Sequence, residues 1–294
     1  MPEITTVGVL GGGLMGSGIA QVCAQRGFRT TCREVSEPLA ARARSSIEHA
    51  LAKGIEKGKL TTAERDETLA RLTTTADLDA VAGCDLVIEA VVEDLEVKNA
   101  LWRELDAKCA PHAIFASNTS SLTIAAMAAV ARGDRMVGLH FFNPVPAMAL
   151  VEVVRTLTTS DATFDRALAF ARALGKEPIV ARDSAGFVVN LLLVPYMLDA
   201  VRALERGVAS VTDIDRGMQL GAGHPMGPLT LIDFVGVDTV YRVAEILYHE
   251  YRETRYAPPP LLRGLVVAGW HGKKTGRGFY DWTGNEPRPS SLSI

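Results

Sequence analysis

The chain has 294 residues, of which 48% are hydrophobic and 22% charged, a globular composition with enough material for about two domains and none of the marks of disorder. With 31 Lys+Arg against 34 Asp+Glu the net charge is -3, which argues against nucleic acid or an anionic membrane as the main partner. Cys23, Cys32, Cys84 and Cys109 form no C-x-x-C pair and show no metal-ligand spacing, so no metal is expected and a reducing compartment is. The apolar stretch 7–24 contains six glycines and follows acidic Glu3 where a basic flank would stand, unlike a signal peptide. No run of about 20 residues is apolar enough to span a bilayer. The expectation is a soluble, cytoplasmic protein.

In chain order, strands are expected over 5–10 and 28–34 with a helix over 15–26 between them, then a long helix over 38–59. Thr61-Thr62-Ala63-Glu64 has capping-box spacing and opens another helix. A buried strand over 85–91 precedes a helix over 97–109; further strands are expected over 114–117, 136–140 and 150–154, with a helix over 122–130. This alternation implies a parallel sheet with crossover helices. Beyond 181–186 the pattern is helical: 187–206, which Pro195 should kink, then 212–220, 229–251 and 261–268. The expected fold is an α/β domain over 1–183 with a helical insertion, followed by an all-α domain over 184–294.

Gly11-Gly12-Gly13-Leu14-Met15-Gly16 fits G-x-G-x-x-G between a strand and a helix, the setting in which the motif holds a dinucleotide. Gly11 permits the tight turn, Gly13 the approach of a pyrophosphate, and Gly16 close helix–strand packing, while the helix N-terminus offers N–H groups to the anion. Glu34 lies 18 residues after Gly16, where a carboxylate binds an adenosine ribose and repels a 2′-phosphate. That favours NAD, although neighbouring Arg33 could accommodate such a phosphate.

His140 ends a strand, where open α/β sheets bind ligands, and Glu152 follows twelve residues later within an apolar strand. A returning strand would set Glu152 against His140, pairing a general base with the carboxylate that orients it. Histidine suits proton removal from an alcohol during hydride transfer, its unperturbed pKa of about 6.5 lying near working pH. Ser117-Asn118-Thr119-Ser120-Ser121 could bond a substrate or cofactor, or Ser120 or Ser121 could cap the helix that follows. Asn190, in an apolar run, is either a substrate contact or a helix–helix hydrogen bond. Lys53 and Lys57 stand four apart on one helix face, either solvated or facing phosphates; Lys98 and Lys274 read alone as solvated surface lysines.

The glycine fingerprint, Ser117–Ser121, His140-Phe141-Phe142-Asn143-Pro144, Glu152, Asn190, His224-Pro225-Met226-Gly227-Pro228 and Gly272–Tyr280, in that order, resemble the 3-hydroxyacyl-CoA dehydrogenase family over nearly the whole chain. The resemblance implies a Rossmann-type domain, a helical domain used for homodimerisation, and a cleft between the two. It implies NAD as cofactor and an acyl-CoA substrate: (S)-3-hydroxyacyl-CoA, such as 3-hydroxybutyryl-CoA, interconverted with the 3-oxoacyl-CoA in fatty-acid and butanoate metabolism, including β-oxidation. His140 would be the base and Glu152 its orienter, with Ser120, Asn143 and Asn190 around the substrate oxygens. Gly11, Gly13, Leu14, Met15, Gly16, Glu34, Glu93, Lys98, Asn143 and Lys274 would serve the cofactor, and Lys53 and Lys57 coenzyme A. Leu191 stands where many relatives carry arginine. A dehydrogenase acting on a hydroxy acid or sugar acid without CoA, or a dinucleotide sensor without turnover, would also be built on this scaffold.

Overall fold

A computed structural model describes residues 3–292. The chain divides into two compact units, Met1–Phe187 and Val188–Ile294, with the boundary slightly beyond the expected 183/184.

The first unit runs β1 (Thr6–Leu10), α1 (Leu14–Gln25), β2 (Arg29–Arg33), α2 (Glu37–Glu56), α3 (Thr62–Ala70), β3 (Leu72–Thr75), β4 (Leu86–Glu89), α4 (Leu95–Lys108), β5 (Ile114–Ser117), α5 (Ile124–Ala128), β6 (Met136–Phe141), β7 (Leu150–Arg155), α6 (Asp161–Ala173) and β8 (Glu177–Arg182). One eight-stranded sheet has the order β3-β2-β1-β4-β5-β6-β7-β8. All its pairs are parallel except β6–β7, which pair antiparallel with His140 opposite Glu152. The chain order reverses between β1 and β4, the topological switch point at which such sheets bind ligands.

Apolar residues fill both faces. Val7, Val9, Ile88, Leu139 and Val153 pack with α1, α2 and α6, while Leu10, Val87, Phe115 and Val154 pack with Trp102 of α4 and Ile124 of α5. Strands buried on both faces read as continuous apolar runs, which is why 85–91 and 136–140 are recognisable in the sequence. The helix after Thr61 begins with the expected capping box: the Thr61 side chain accepts from the Glu64 N–H at 3.2 Å, and the Glu64 carboxylate accepts from the Thr61 N–H at 2.8 Å.

In the first unit β3, β8 and α6 escape sequence reading. β3 (LTTT) is short and polar, β8 (EPIVAR) carries a proline and charges at the sheet edge, and α6 buries only Thr163, Phe164, Ala167, Phe170 and Ala171, a weak apolar stripe. The helix expected over 122–130 shrinks to α5, and neither Ser120 nor Ser121 caps it. Thr123 is the N-cap residue, and Asp183 accepts from the N–H groups of Ile124 (2.8 Å) and Ala125 (2.7 Å) instead.

The second unit is mainly helical, with α7 (Val189–Glu205), α8 (Val211–Ala222), α9 (Pro228–Val235), α10 (Val237–Tyr251) and α11 (Pro260–Val267). It is not all-α as expected: Tyr280–Asp281 and Arg288–Pro289 pair as a short antiparallel sheet, each strand too short to show a pattern in the sequence. Pro195 is accommodated inside α7, which continues through it as one helix. The span 229–251 is two helices, because Gly236 at φ 107° leaves the helical region. Two buried aspartates tie the unit together. Asp215 accepts from the N–H groups of Leu229 (2.7 Å) and Thr230 (2.9 Å) at the start of α9, and from the Tyr280 hydroxyl (2.8 Å). Asp233 accepts from the N–H groups of Phe279 (2.9 Å) and Tyr280 (2.8 Å) and from the Trp282 indole (2.9 Å). Gly272 packs so closely on Asp233 that a Cβ there would stand 2.3 Å from its carbonyl oxygen. The Gly227-Pro228 and Gly272–Tyr280 motifs therefore lie where two buried carboxylates of this unit grip the backbone.

Candidate active site

The antiparallel return of β7 on β6 brings the Glu152 carboxylate to His140 Nδ1 at 2.5 Å. Both side chains are buried, at 0% and 4% exposure. An ionised Glu152 can only accept, so Nδ1 carries a hydrogen, and Nε2 is the nitrogen with the lone pair in the neutral imidazole. Nε2 meets the Ser120 hydroxyl at 3.1 Å. The imidazole is flanked by Phe142 and Phe187, with ring centroids 4.5 and 5.6 Å away. Phe187 sits at φ 48°, a left-handed conformation that is strained for a bulky side chain; nothing in its sequence context marks it.

Ser120 is placed by a network of buried charge. Glu89, at the end of β4, is fully buried. It takes the Lys98 ammonium on both oxygens (2.8 and 2.7 Å) and accepts from the Ser117 hydroxyl and the Val91 N–H. Lys98 also pairs with Glu93 at 3.2 Å. Glu93 in turn accepts from the Thr119 hydroxyl (2.5 Å), the Ser121 hydroxyl (2.9 Å) and the Ser120 N–H (3.3 Å). Burial opposes the charge on Glu93, but the Lys98 ammonium and these hydroxyls together hold its carboxyl below the usual range. Lys98, which alone reads as a solvated lysine, is 1% exposed. Glu89 is a site residue that sequence reasoning misses, although it shows the same signal as Glu152: a single carboxylate in an apolar strand. Asn118 completes the turn by accepting the Phe141 N–H at 2.9 Å, which locks the 117–121 segment to the strand that carries His140.

A cleft of about 640 Å³ is lined by Gly12, Gly13, Leu14, Glu34, Arg42 and Asn143 among others. The glycine turn passes the test for a dinucleotide. Gly11 has φ 87° and a Cβ there would lie 2.7 Å from the Ala90 oxygen, a Cβ on Gly16 would collide with the Gly11 oxygen, and in front of Gly13 the space is open. The first bond within α1 runs from Ser17 N–H to Gly13, so the N–H groups of Leu14, Met15 and Gly16 lie ahead of the helical ladder at its positive end. Leu14 is 75% exposed. Glu34 accepts the Gly12 N–H at 2.6 Å, which ties the end of β2 to the glycine turn. Arg33, the possible phosphate partner, instead donates to the Ala76 carbonyl at 3.2 Å.

The remaining candidates are more scattered. Asn143 lines the cleft. Lys53 and Lys57 are exposed, with Lys57 one residue past the end of α2, and the α2 residues lining the cleft are Leu39, Arg42, Ser46, Ile47 and Ala50. Asn190 lies half-buried in the first turn of α7. Lys274 is exposed and pairs with Asp238 at 2.6 Å, which holds that carboxyl below its ordinary range against the effect of burial. No helix among the described residues is long and apolar enough to cross a membrane.

Comparison with known proteins agrees with this geometry. Residues 6–184 match the family model for the 3-hydroxyacyl-CoA dehydrogenase NAD binding domain, and residues 186–282 match the model for its C-terminal domain. The chain is 49% identical over 282 residues to a 3-hydroxybutyryl-CoA dehydrogenase of Mycobacterium tuberculosis, covering 95% of this chain and 99% of the relative. It is 47% identical to the human mitochondrial hydroxyacyl-coenzyme A dehydrogenase, covering 94% and 90%. The crystal structure of an (S)-3-hydroxybutyryl-CoA dehydrogenase from Ralstonia eutropha superposes with a TM-score of 0.92 at 43% identity, covering 96% of this chain and all of that one. The strand order, the glycine turn, the His140–Glu152 pair and these likenesses agree: the chain belongs to the 3-hydroxyacyl-CoA dehydrogenase family.

Proposed function

We propose that this protein is an NAD-dependent oxidoreductase interconverting (S)-3-hydroxyacyl-CoA and 3-oxoacyl-CoA, with 3-hydroxybutyryl-CoA and acetoacetyl-CoA as its pair. The observation that carries the reading is His140, held by Glu152 on one nitrogen and presenting the other beside Ser120. In the oxidative direction His140 Nε2 accepts the proton of the 3-hydroxyl group, and Glu152 stabilises the imidazolium that results. Bound NAD supplies the acceptor for the hydride leaving carbon 3. Ser120 donates its hydroxyl to the substrate oxygen, which keeps that oxygen in line with Nε2. In the reductive direction His140 returns the same proton.

Gly11, Gly13, Leu14, Met15 and Gly16 hold the pyrophosphate side of the cofactor, and Glu34 takes the adenosine ribose. Glu93, Lys98 and Asn143 border its other end, and the family likeness adds Lys274 to the cofactor contacts. The same likeness sets Asn190, with Ser120 and Asn143, around the substrate oxygens and gives Lys53 and Lys57 the phosphates of coenzyme A. We also assign the protein a cytoplasmic location and a homodimeric state through the helical domain.

The deciding experiment is NADH oxidation with acetoacetyl-CoA, with NADPH and free 3-oxo acids run in parallel. Rapid turnover with NADH and the CoA ester is expected. Turnover with free acids alone would replace the substrate class, and preference for NADPH would overturn the role given to Glu34.

A further inference from the structure

The turn joining β6 and β7 is held by a buried cation that takes no part in the steps above. Lys176, between α6 and β8, is 8% exposed. Its Nζ donates to the carbonyl oxygens of Val145 (2.5 Å) and Met148 (2.7 Å). Among the described residues it forms no ion pair; burial and the like charge of Arg26 lower its pKa from the ordinary lysine range. Burying an ammonium without a counter-ion is costly, and an apolar side chain of similar length would fill the same space without that cost. What the ammonium alone provides is donors, three of them, two of which bracket one irregular turn.

That turn is a wall of the cofactor cleft. Asn143, Pro144, Val145 and Pro146 line the cleft together with the glycine turn of α1. Val145 also rests on α1: a Cβ on Gly18 would come within 2.9 Å of the Val145 Cβ. The strands leaving the two ends of the turn carry His140 and Glu152. We infer that Lys176 is a positioning residue of the dehydrogenase: by bridging Val145 and Met148 it fixes the 143–148 turn, so that Asn143–Pro146 present a preformed face to the dinucleotide. The inference rests on the reading of this cleft as the NAD site.

Lys176→Met retains the apolar stem and removes the donors. NADH affinity is measured by fluorescence titration, beside steady-state kinetics with acetoacetyl-CoA and thermal melting. The expected result is an NADH Kd and a KM for NADH raised about tenfold, with kcat changed much less. Lys176→Gln, whose amide retains donors on a shorter stem, should fall between the two, and it decides the matter if the Met variant does not fold. Wild-type NADH affinity in a folded variant, even one with a lowered melting temperature, would reduce Lys176 to a packing role and overturn the inference. Wild-type protein that turns over acetoacetyl-CoA but gains its NADH affinity elsewhere, with Glu34→Ala and Asn143→Ala both neutral, would overturn the cleft assignment and this role with it. Loss of NADH binding on those two substitutions with no effect of either Lys176 variant would overturn the clamp alone.

Discussion

Two buried carboxylates, one in each unit, show what burial does and does not say about chemistry. Glu152 and Asp233 are 0% and 1% exposed, and each would be costly if left unpaired. Asp233 spends its oxygens on two backbone N–H groups and an indole of the 279–282 segment, and the result is a fixed turn. Glu152 meets an imidazole whose far nitrogen faces a serine hydroxyl, so its charge orients and stabilises a ring that can exchange a proton. The partner, more than the burial, separates architecture from catalysis.

The largest effect should come from breaking the catalytic side of this comparison. His140→Ala is expected to lower kcat by about a thousandfold with NADH binding retained; near-normal turnover would remove His140 from the mechanism. Glu152→Gln, which lets the imidazole choose the wrong tautomer, should approach the same loss with a smaller change in KM. On the architectural side, Asp233→Ala strands two buried backbone donors and a half-buried indole and should cost about 3 kcal/mol of unfolding free energy. Its kcat per folded molecule should move far less than that of Glu152→Gln, and an equal loss would erase the distinction. Next in size is Glu34→Gln, expected to narrow the preference for NADH over NADPH by about tenfold in kcat/KM; an unchanged ratio would shift cofactor selection to another residue.

The smallest effect is the sign of two pH dependences. The Glu93 carboxyl is held below its ordinary pKa, so its contribution to stability is present above the unfolded value of about 4.3 and is lost as the pH falls through the lower, folded value. Burial raises the Asp233 carboxyl despite its three donors, so the contribution from that group is largest below about 3.9 and is lost as the pH rises through the folded value. Denaturant unfolding of Glu93→Gln and Asp233→Asn between about pH 3 and 6 should show slopes departing from wild type in opposite directions. Departures of the same sign would contradict the contrast in their surroundings.

The features legible in the sequence rest on interactions within a few residues. The glycine turn after an apolar strand, the capping box at Thr61 and Glu64, and the runs buried on both faces of the sheet are each dictated by neighbours in the chain. Residues with conflicting local signals take their structure from partners distant in the chain. The short polar β3 and the proline-bearing edge β8 have no strand pattern of their own and exist because a neighbouring strand offers hydrogen bonds. Ser120 looked equally fit for a helix cap, and it is Asp183, distant in sequence, that takes that task.

By itself the sequence determined a dinucleotide turn, a candidate base and a candidate orienter, because residue type and spacing along one element suffice for those. Only the tertiary structure decided that His140 stands opposite Glu152, that Lys98 is buried between Glu89 and Glu93, and that Lys176 reaches two carbonyls of a distant turn. Register across strands and the burial of a long cationic side chain depend on elements that meet only on folding, and a charged residue carries no local mark of which partner will desolvate it.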